Sequence, residues 1–283
     1  MTLHAAAQLI DEALGERRGI AAFNVITLEH AEAIVAAAEA ARAPVILALS
    51  QNAVRFHGDQ PGPVAAAAHE LARQSRVPVA LHLDHVDDAA LLAQTAALGF
   101  SSVMFDASAL PLAENLDRTR DAVHWAHDAG LWLEAELGYI GGKPGTPARA
   151  HDPGVRTDPD EAHDFVAATG VDALAVAVGS SHAMTARTAV IDIGLVAAIR
   201  AKVPVPLVLH GSSGVPDDQL RAAIRAGITK VNIGTALNVA MTMAIRERLT
   251  AQPALVDPRR YLAPARDAMA GAVSRALAAV WGC

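Results

Sequence analysis

The chain is nearly without cysteine. Of its 283 residues only Cys283, the last, carries a thiol. An intrachain disulfide is therefore excluded, and so is a thiolate-ligated zinc site. Aromatic residues are scarce too, at 4% against 52% hydrophobic residues in all, so the core must be built from Ala, Val, Leu and Ile. Lysine is the third shortage: Lys143, Lys202 and Lys230 are the whole inventory. With 23 Lys and Arg against 30 Asp and Glu the net charge is −7. That balance argues against nucleic-acid and anionic-membrane partners, which are held by basic patches. No run approaches the roughly 18 apolar residues of a membrane span, and Met1–Ile10 lacks the basic-then-apolar pattern of a secretory signal. A cytoplasmic location is the expectation.

What the chain does have is a rhythm. Short apolar runs recur at Ile20–Ile26, Pro44–Ser50, Val77–His85, Ser101–Ala107, Leu131–Gly138, Ala173–His182, Val205–Ser213 and Thr229–Ala236. They are near-continuous in hydrophobicity, as strands covered on both faces should be. Between them lie Ala-rich stretches with helical spacing: Leu28–Ala43, Val64–Ser75, Ala89–Leu98, Leu116–Ala129 and Asp160–Thr169. Gly99 and Gly227 follow two such stretches, where a left-handed cap needs no Cβ. Eight strand–helix alternations in about 250 residues predict an α/β fold, a closed (β/α)8 barrel. A doubly wound open sheet would want a glycine-rich turn after its first strand; Thr27-Leu28-Glu29 offers none. One domain over residues 1–283 is expected, with a helical extension from about residue 237. The longest irregular segment, residues 139–156, has a loop length that is usually functional.

Active sites of such barrels sit at the C-terminal ends of the strands. Reading those ends gives His82-Leu83-Asp84-His85, Glu134-Ala135-Glu136, Gly179-Ser180-Ser181-His182 and His210-Gly211-Ser212-Ser213-Gly214. Three imidazoles on one rim describe a catalytic zinc site with an open coordination position. His85, His182 and His210 are the expected ligands, with Glu136 an alternative or outer partner. Glu134 should point deeper into the barrel, and His82 reads as an interior histidine. The turns Gly211–Gly214 and Asn232–Thr235 follow strands seven and eight, where barrels often cradle phosphate on backbone N–H groups. The remaining histidines fall on helices or loops without strand-end context.

The runs Ala22-Phe23-Asn24-Val25, Leu81–His85, Glu134–Gly138, Val208–Gly214 and Lys230–Thr235 closely resemble the class II, zinc-dependent ketose-bisphosphate aldolases, the fructose- and tagatose-1,6-bisphosphate enzymes. The resemblance runs from about Leu3 to Arg248, in order and in spacing. It implies that Asp84 is the acid/base at the aldehyde-derived oxygen. It also implies that Ser50, Gly211, Ser212, Ser213, Asn232, Ile233, Gly234 and Thr235 bind the dihydroxyacetone phosphate half of a phosphorylated sugar. A homodimer or homotetramer, and a monovalent cation near the phosphate site, belong to the same expectation.

The sequence departs from the family pattern twice. After Gly141-Gly142 the usual acidic stretch is replaced by Lys143-Pro144-Gly145-Thr146-Pro147-Ala148-Arg149, so Asp152 is the only carboxylate left in that loop. After His182 the chain reads Ala183-Met184-Thr185-Ala186-Arg187; there the Ala183 backbone N–H and the Arg187 charge are the phosphate candidates. A Schiff-base aldolase is disfavoured, because no lysine lies near the C-terminal end of a strand. A metal-dependent hydrolase of the amidohydrolase type would need a His-x-His on strand one, which is absent. A non-catalytic or altered-specificity sugar-phosphate-binding barrel is the alternative from another class.

Overall fold

Eight short parallel strands alternate with helices along the whole computed structural model, which describes residues 3–138, 140 and 156–282. Helix α1 (Ala6–Gly15) precedes β1 (Ile20–Asn24). The first half then runs α2 (Leu28–Ala41), β2 (Val45–Ser50), α3 (Gln51–Phe56), α4 (Pro61–Gln74), β3 (Val79–Val86), α5 (Ala89–Leu92) and β4 (Ser102–Phe105). The second half runs α6 (Leu112–Asp128), β5 (Trp132–Leu137), α7 (Pro159–Thr169), β6 (Ala173–Val176), α8 (Ile193–Lys202), β7 (Leu207–Leu209), α9 (Asp217–Ala226) and β8 (Ile228–Ile233). Helices α10 (Thr235–Ala251) and α11 (Arg259–Val280) follow. Each strand pairs with its neighbour in sequence, and β8 closes onto β1 through Ile20↔Lys230 and Ala22↔Asn232. The barrel is closed.

Period-two alternation divides each strand between two environments. Phe23, Leu47, Leu81, Leu133 and Val231 face outward into the layer shared with the helices. Ile20, Ala22, Ile46 and Ala80 face inward and are floored by Ala6, Leu9, Ile10 and Ala13 of α1, so α1 plugs the end of the barrel opposite the site. Met104, Ala173, Ala175 and Val208 form a second interior group. So many alanines inside leave room for long side chains. Lys230 fills that room: it is fully buried, with Nζ 2.7 Å from Glu134 Oε2.

All eight expected strands form, six within the predicted runs and two, β3 at Val86 and β8 at Ile228, reaching one residue beyond them. The stretch Ala89–Leu98 differs: only α5 is helical, and turns lead from there to Gly99. The buried Thr95 hydroxyl bonds back to Leu92 O at 2.7 Å, a local bond that competes with helix continuation. The C-terminal extension begins at Thr235. Its second helix, α11, buries Met269, Val273 and Leu277 and packs between α2 and α9, completing the helical ring around β1. Among the described residues no helix is long and apolar enough to cross a membrane.

Candidate active site

Strand β3 supplies two of the functional side chains by breaking its own alternation. Leu81, Leu83 and Val86 all lie in the outer core, so one residue between Leu83 and Val86 is extra. The register with β4 shifts at that point, and His85 has φ +50°. A bulge of this kind re-aims a side chain at the cost of local backbone strain. It turns His85 back toward the barrel mouth beside Asp84.

His210 directly follows β7, and His182 lies on the turn after β6. Their rings and that of His85 gather closely: centroids are 4.6 Å apart for His85 and His210, 5.1 Å for His85 and His182, and 5.9 Å for His182 and His210. One ring nitrogen from each lies within 4.8 Å of the others. Hydrogen bonds assign the nitrogens. His85 Nδ1 is 2.8 Å from Asp106 Oδ2, and His210 Nε2 is 2.7 Å from Glu134 Oε1. Ionised carboxylates only accept, so each imidazole donates there and keeps its lone pair on the other nitrogen. His182 Nδ1 likewise donates to Ile140 O at 3.4 Å.

Electrostatics suit neutral imidazoles and ionised acids. Burial lowers the pKa of His210, and burial followed by the charge of Lys230 pushes His82 down to about 3. Burial opposes ionisation of Glu134 most strongly, but Lys230 and His210 outweigh it and bring its pKa to about 2. The same contest holds Asp84 well below the ordinary carboxylate range: burial raises its pKa, while His85, His210, Lys230 and His82 lower it. Two amides then steady the ionised Asp84. Asn24 Nδ2 donates to Oδ2 at 3.0 Å, and Asn232 Nδ2 donates to Oδ1 at 3.2 Å.

These groups open onto a cavity of about 250 Å³ at the C-terminal rim. Ser50, Ala183, Gly211, Ser212, Ser213 and Thr235 line it, as do Asn232 and Gly234. Ser213 Oγ accepts from Ala236 N at 3.0 Å, tying the turn after β7 to the start of α10. Ala183 and Gly211 both have positive φ, +58° and +66°, the backbone signature of a tight anion-cradling turn. Glu136 is buried and stands with His85 and Asp106 in a second set of oxygen and nitrogen atoms within 4.8 Å of one another.

One expected residue is placed elsewhere, and another turns only its side chain away from the cavity. Arg187 donates to Val215 O at 2.7 Å and pairs with Asp217, lining the neighbouring cleft behind the turn instead of the cavity. Its guanidinium is satisfied there by a carbonyl and a carboxylate. Ile233 faces the outer core, because strand alternation gives the inward position to Asn232. Asp152, Lys143 and Arg149 lie outside the described residues. His82 is interior, as expected, with Nδ1 2.8 Å from Ser102 Oγ. Sequence reasoning missed Asp106, although the strand-end rule that selected Asp84 applies equally one residue beyond β4. It gave no role to Asn24, which it quoted only within a motif, or to Asn238, and both line the cavity; a lone amide carries no spacing signal.

Comparison with known proteins agrees with this geometry. A family model described as fructose-bisphosphate aldolase class-II matches residues 4–283. The X-ray structure of the YdjI aldolase from Escherichia coli K12 is similar at 32% identity and a TM-score of 0.83, over 98% of this chain and 97% of that one. Fructose-bisphosphate aldolase (Fba) from Campylobacter jejuni shares the fold, with a TM-score of 0.82 at 23% identity over 98% and 95% of the two chains. A closed barrel with three imidazoles and a buried aspartate converging at its C-terminal mouth, matched over nearly its whole length by that family model, makes this chain a member of the class II fructose-bisphosphate aldolase family.

Proposed function

We propose that the chain is a zinc-dependent aldolase that cleaves or forms a phosphorylated ketose, of the fructose- or tagatose-1,6-bisphosphate type, through a dihydroxyacetone phosphate enediolate. The observation that carries this reading is the set of three converging imidazoles beside the ionised Asp84. The donor set fits zinc: three imidazoles, each oriented by an acceptor at one ring nitrogen with the other left for a metal. His85, His182 and His210 would hold the metal, which would supply Lewis-acid stabilisation of the developing negative charge.

The chain's own groups account for the rest. Asp84 accepts the proton of the C4 hydroxyl as the C3–C4 bond breaks and its electron pair passes into the enediolate. Asn24 and Asn232 hold that carboxylate in place through 3.0 and 3.2 Å hydrogen bonds. The enediolate carbon then takes a proton, for which Asp152 and Glu136 are the candidate carriers. The phosphate sits against the turns at Ala183 and at Gly211–Ser213, and at the positive end of α10, whose 17 residues begin at Thr235.

The test is metal analysis combined with cleavage assays across fructose, tagatose and related ketose phosphates. About one zinc per chain is expected, with activity lost on chelation and restored by zinc. A protein that binds zinc and sugar phosphate but cleaves none of these ketoses leaves the binding-barrel reading in its place.

A further inference from the structure

Helix α10 sets Asn238 on the cavity wall, and the group that holds its side chain comes from the other end of the sequence. His30 Nε2 lies 3.1 Å from Asn238 Oδ1, 208 residues away. His30 is buried near the start of α2. Its second nitrogen is already committed: the Thr27 backbone N–H donates to Nδ1 at 3.3 Å, one half of the capping box that starts α2. Glu or Gln usually fills that box position. A histidine fills it too, and brings a second nitrogen that reaches across to α10.

The tautomer follows from these contacts. An amide N–H aimed at Nδ1 requires a lone pair there, so the ring proton of neutral His30 is on Nε2. Burial lowers the His30 pKa and so favours the neutral ring. Nε2–H donates, and the amide of Asn238 must present Oδ1 to receive it. Its NH2 group is then the other arm of the planar amide, directed away from His30. We infer that His30 is a positioning residue that fixes Asn238 with its NH2 toward the cavity, giving the substrate site an uncharged donor for a substrate oxygen.

This matters because the described residues lining that cavity include neither Lys nor Arg. Recognition of an oxygen-rich anion there falls to backbone N–H groups, hydroxyls and amides. An amide reads an oxygen only when its donor side faces it; reversed, it repels the same oxygen. One hydrogen bond between α2 and α10 therefore sets the sign of the Asn238 contact.

The inference rests on the aldolase reading, and the experiment separates the two. Zinc-loaded full-length protein is assayed with whichever of fructose 1,6-bisphosphate and tagatose 1,6-bisphosphate the wild type cleaves. Asn238→Asp is isosteric and keeps an acceptor for His30 Nε2–H, but puts an acceptor where the NH2 stood. It is expected to raise KM about tenfold or more, with a smaller change in kcat and no loss of zinc. His30→Leu should raise KM in the same way, His30→Gln, which can both accept and donate, should stay within about threefold of wild type, and His30→Leu/Asn238→Ala should be no worse than Asn238→Ala alone. Unchanged KM in Asn238→Asp, or additive effects in the double variant, overturns the inference while leaving the aldolase reading intact. If His30→Leu does not fold, Asn238→Asp decides. A wild type that cleaves neither ketose removes the reading and the inference together.

Discussion

Asp84 and His85 are adjacent in sequence and face the same cavity, an arrangement that a regular strand forbids. The register shift between Leu83 and Val86, with His85 at φ +50°, is what reconciles them. The proposed base is thereby brought next to a proposed ligand without itself being one. Asp84→Ala should leave zinc content unchanged and slow aldol cleavage by about 10²–10⁴-fold. Near-normal turnover would reduce Asp84 to an orienting role.

Asp106 makes the opposite prediction. Its Oδ2 receives His85 Nδ1–H at 2.8 Å, while its Oδ1 is anchored by the Ser108 hydroxyl at 2.6 Å. Asp106→Ala leaves all three imidazoles in the sequence but releases the ring of His85. Zinc affinity should fall by about 10–100-fold, measured by competition with a chromophoric chelator. Activity at saturating zinc should recover much more than in Asp84→Ala.

Lys230 tests the mechanistic class. A lysine inside an aldolase barrel invites a Schiff-base reading, yet Lys230 is fully buried and paired with Glu134 Oε2 at 2.7 Å. No imine should be trapped on borohydride reduction with substrate; covalent capture at Lys230 would overturn the zinc mechanism. Lys230→Met strands Glu134 as a buried, uncompensated carboxylate and should destabilise the protein by about 3–5 kcal/mol in urea unfolding. Adding Glu134→Gln removes that charge and should recover much of the loss.

Stability should fall on acidification, beginning near neutrality. His82 has a pKa of about 3 in the folded chain, lowered first by burial, against an ordinary 6.5. Between those values the unfolded chain binds a proton that the folded chain does not. Each such histidine removes about 1.4 kcal/mol per pH unit as pH drops below about 6.5. His30 and His210 are lowered in the same direction by burial. Glu134, at about 2 against an ordinary 4.5, begins to contribute only below 4.5. Urea titrations of chelator-treated protein at several pH values between 7.5 and 5 check this. His82→Asn should flatten the dependence; a wild type with pH-independent stability would contradict it.

The barrel was legible in the sequence because doubly buried strands advertise themselves as continuous apolar runs, and all eight were found that way. The three histidines and Asp84 were legible because the fold says where to look: at strand ends. The same rule fitted Asp106, which went unread because no glycine-rich turn or second titratable residue drew attention to it. Arg187 shows the converse failure. Its place in sequence, five residues after His182, suggested the phosphate, but Asp217 and Val215 O from the next βα loop hold it. Sequence could not reveal that competitor. Nor could it reveal the His30–Asn238 contact, which depends on β8 pairing with β1 so that the starts of α10 and α2 come together.

Gly211 is the position where sequence, backbone and site meet most tightly. With φ at +66° it occupies the left-handed region, and a Cβ there would lie 2.6 Å from both the carbonyl carbon and oxygen of Ser181. Those atoms are backbone, so no rotamer change relieves the clash. The Ser181 turn carries His182, and Gly211 itself follows His210, so any displacement separates two of the three imidazoles. Left-handed geometry alone costs an alanine roughly 1–2 kcal/mol, and the contact adds to it. Gly15, at the end of α1, has nothing within 4 Å of an added Cβ. Gly15→Ala should be neutral or gain about 0.5–1 kcal/mol through helix propensity. Gly211→Ala should lower the melting temperature, weaken zinc binding and abolish cleavage together. Should Gly211→Ala keep its zinc and its turnover, the turn after β7 would have to be free to move away from Ser181, and the cradle assigned to Gly211, Ser212 and Ser213 would not be what holds the phosphate.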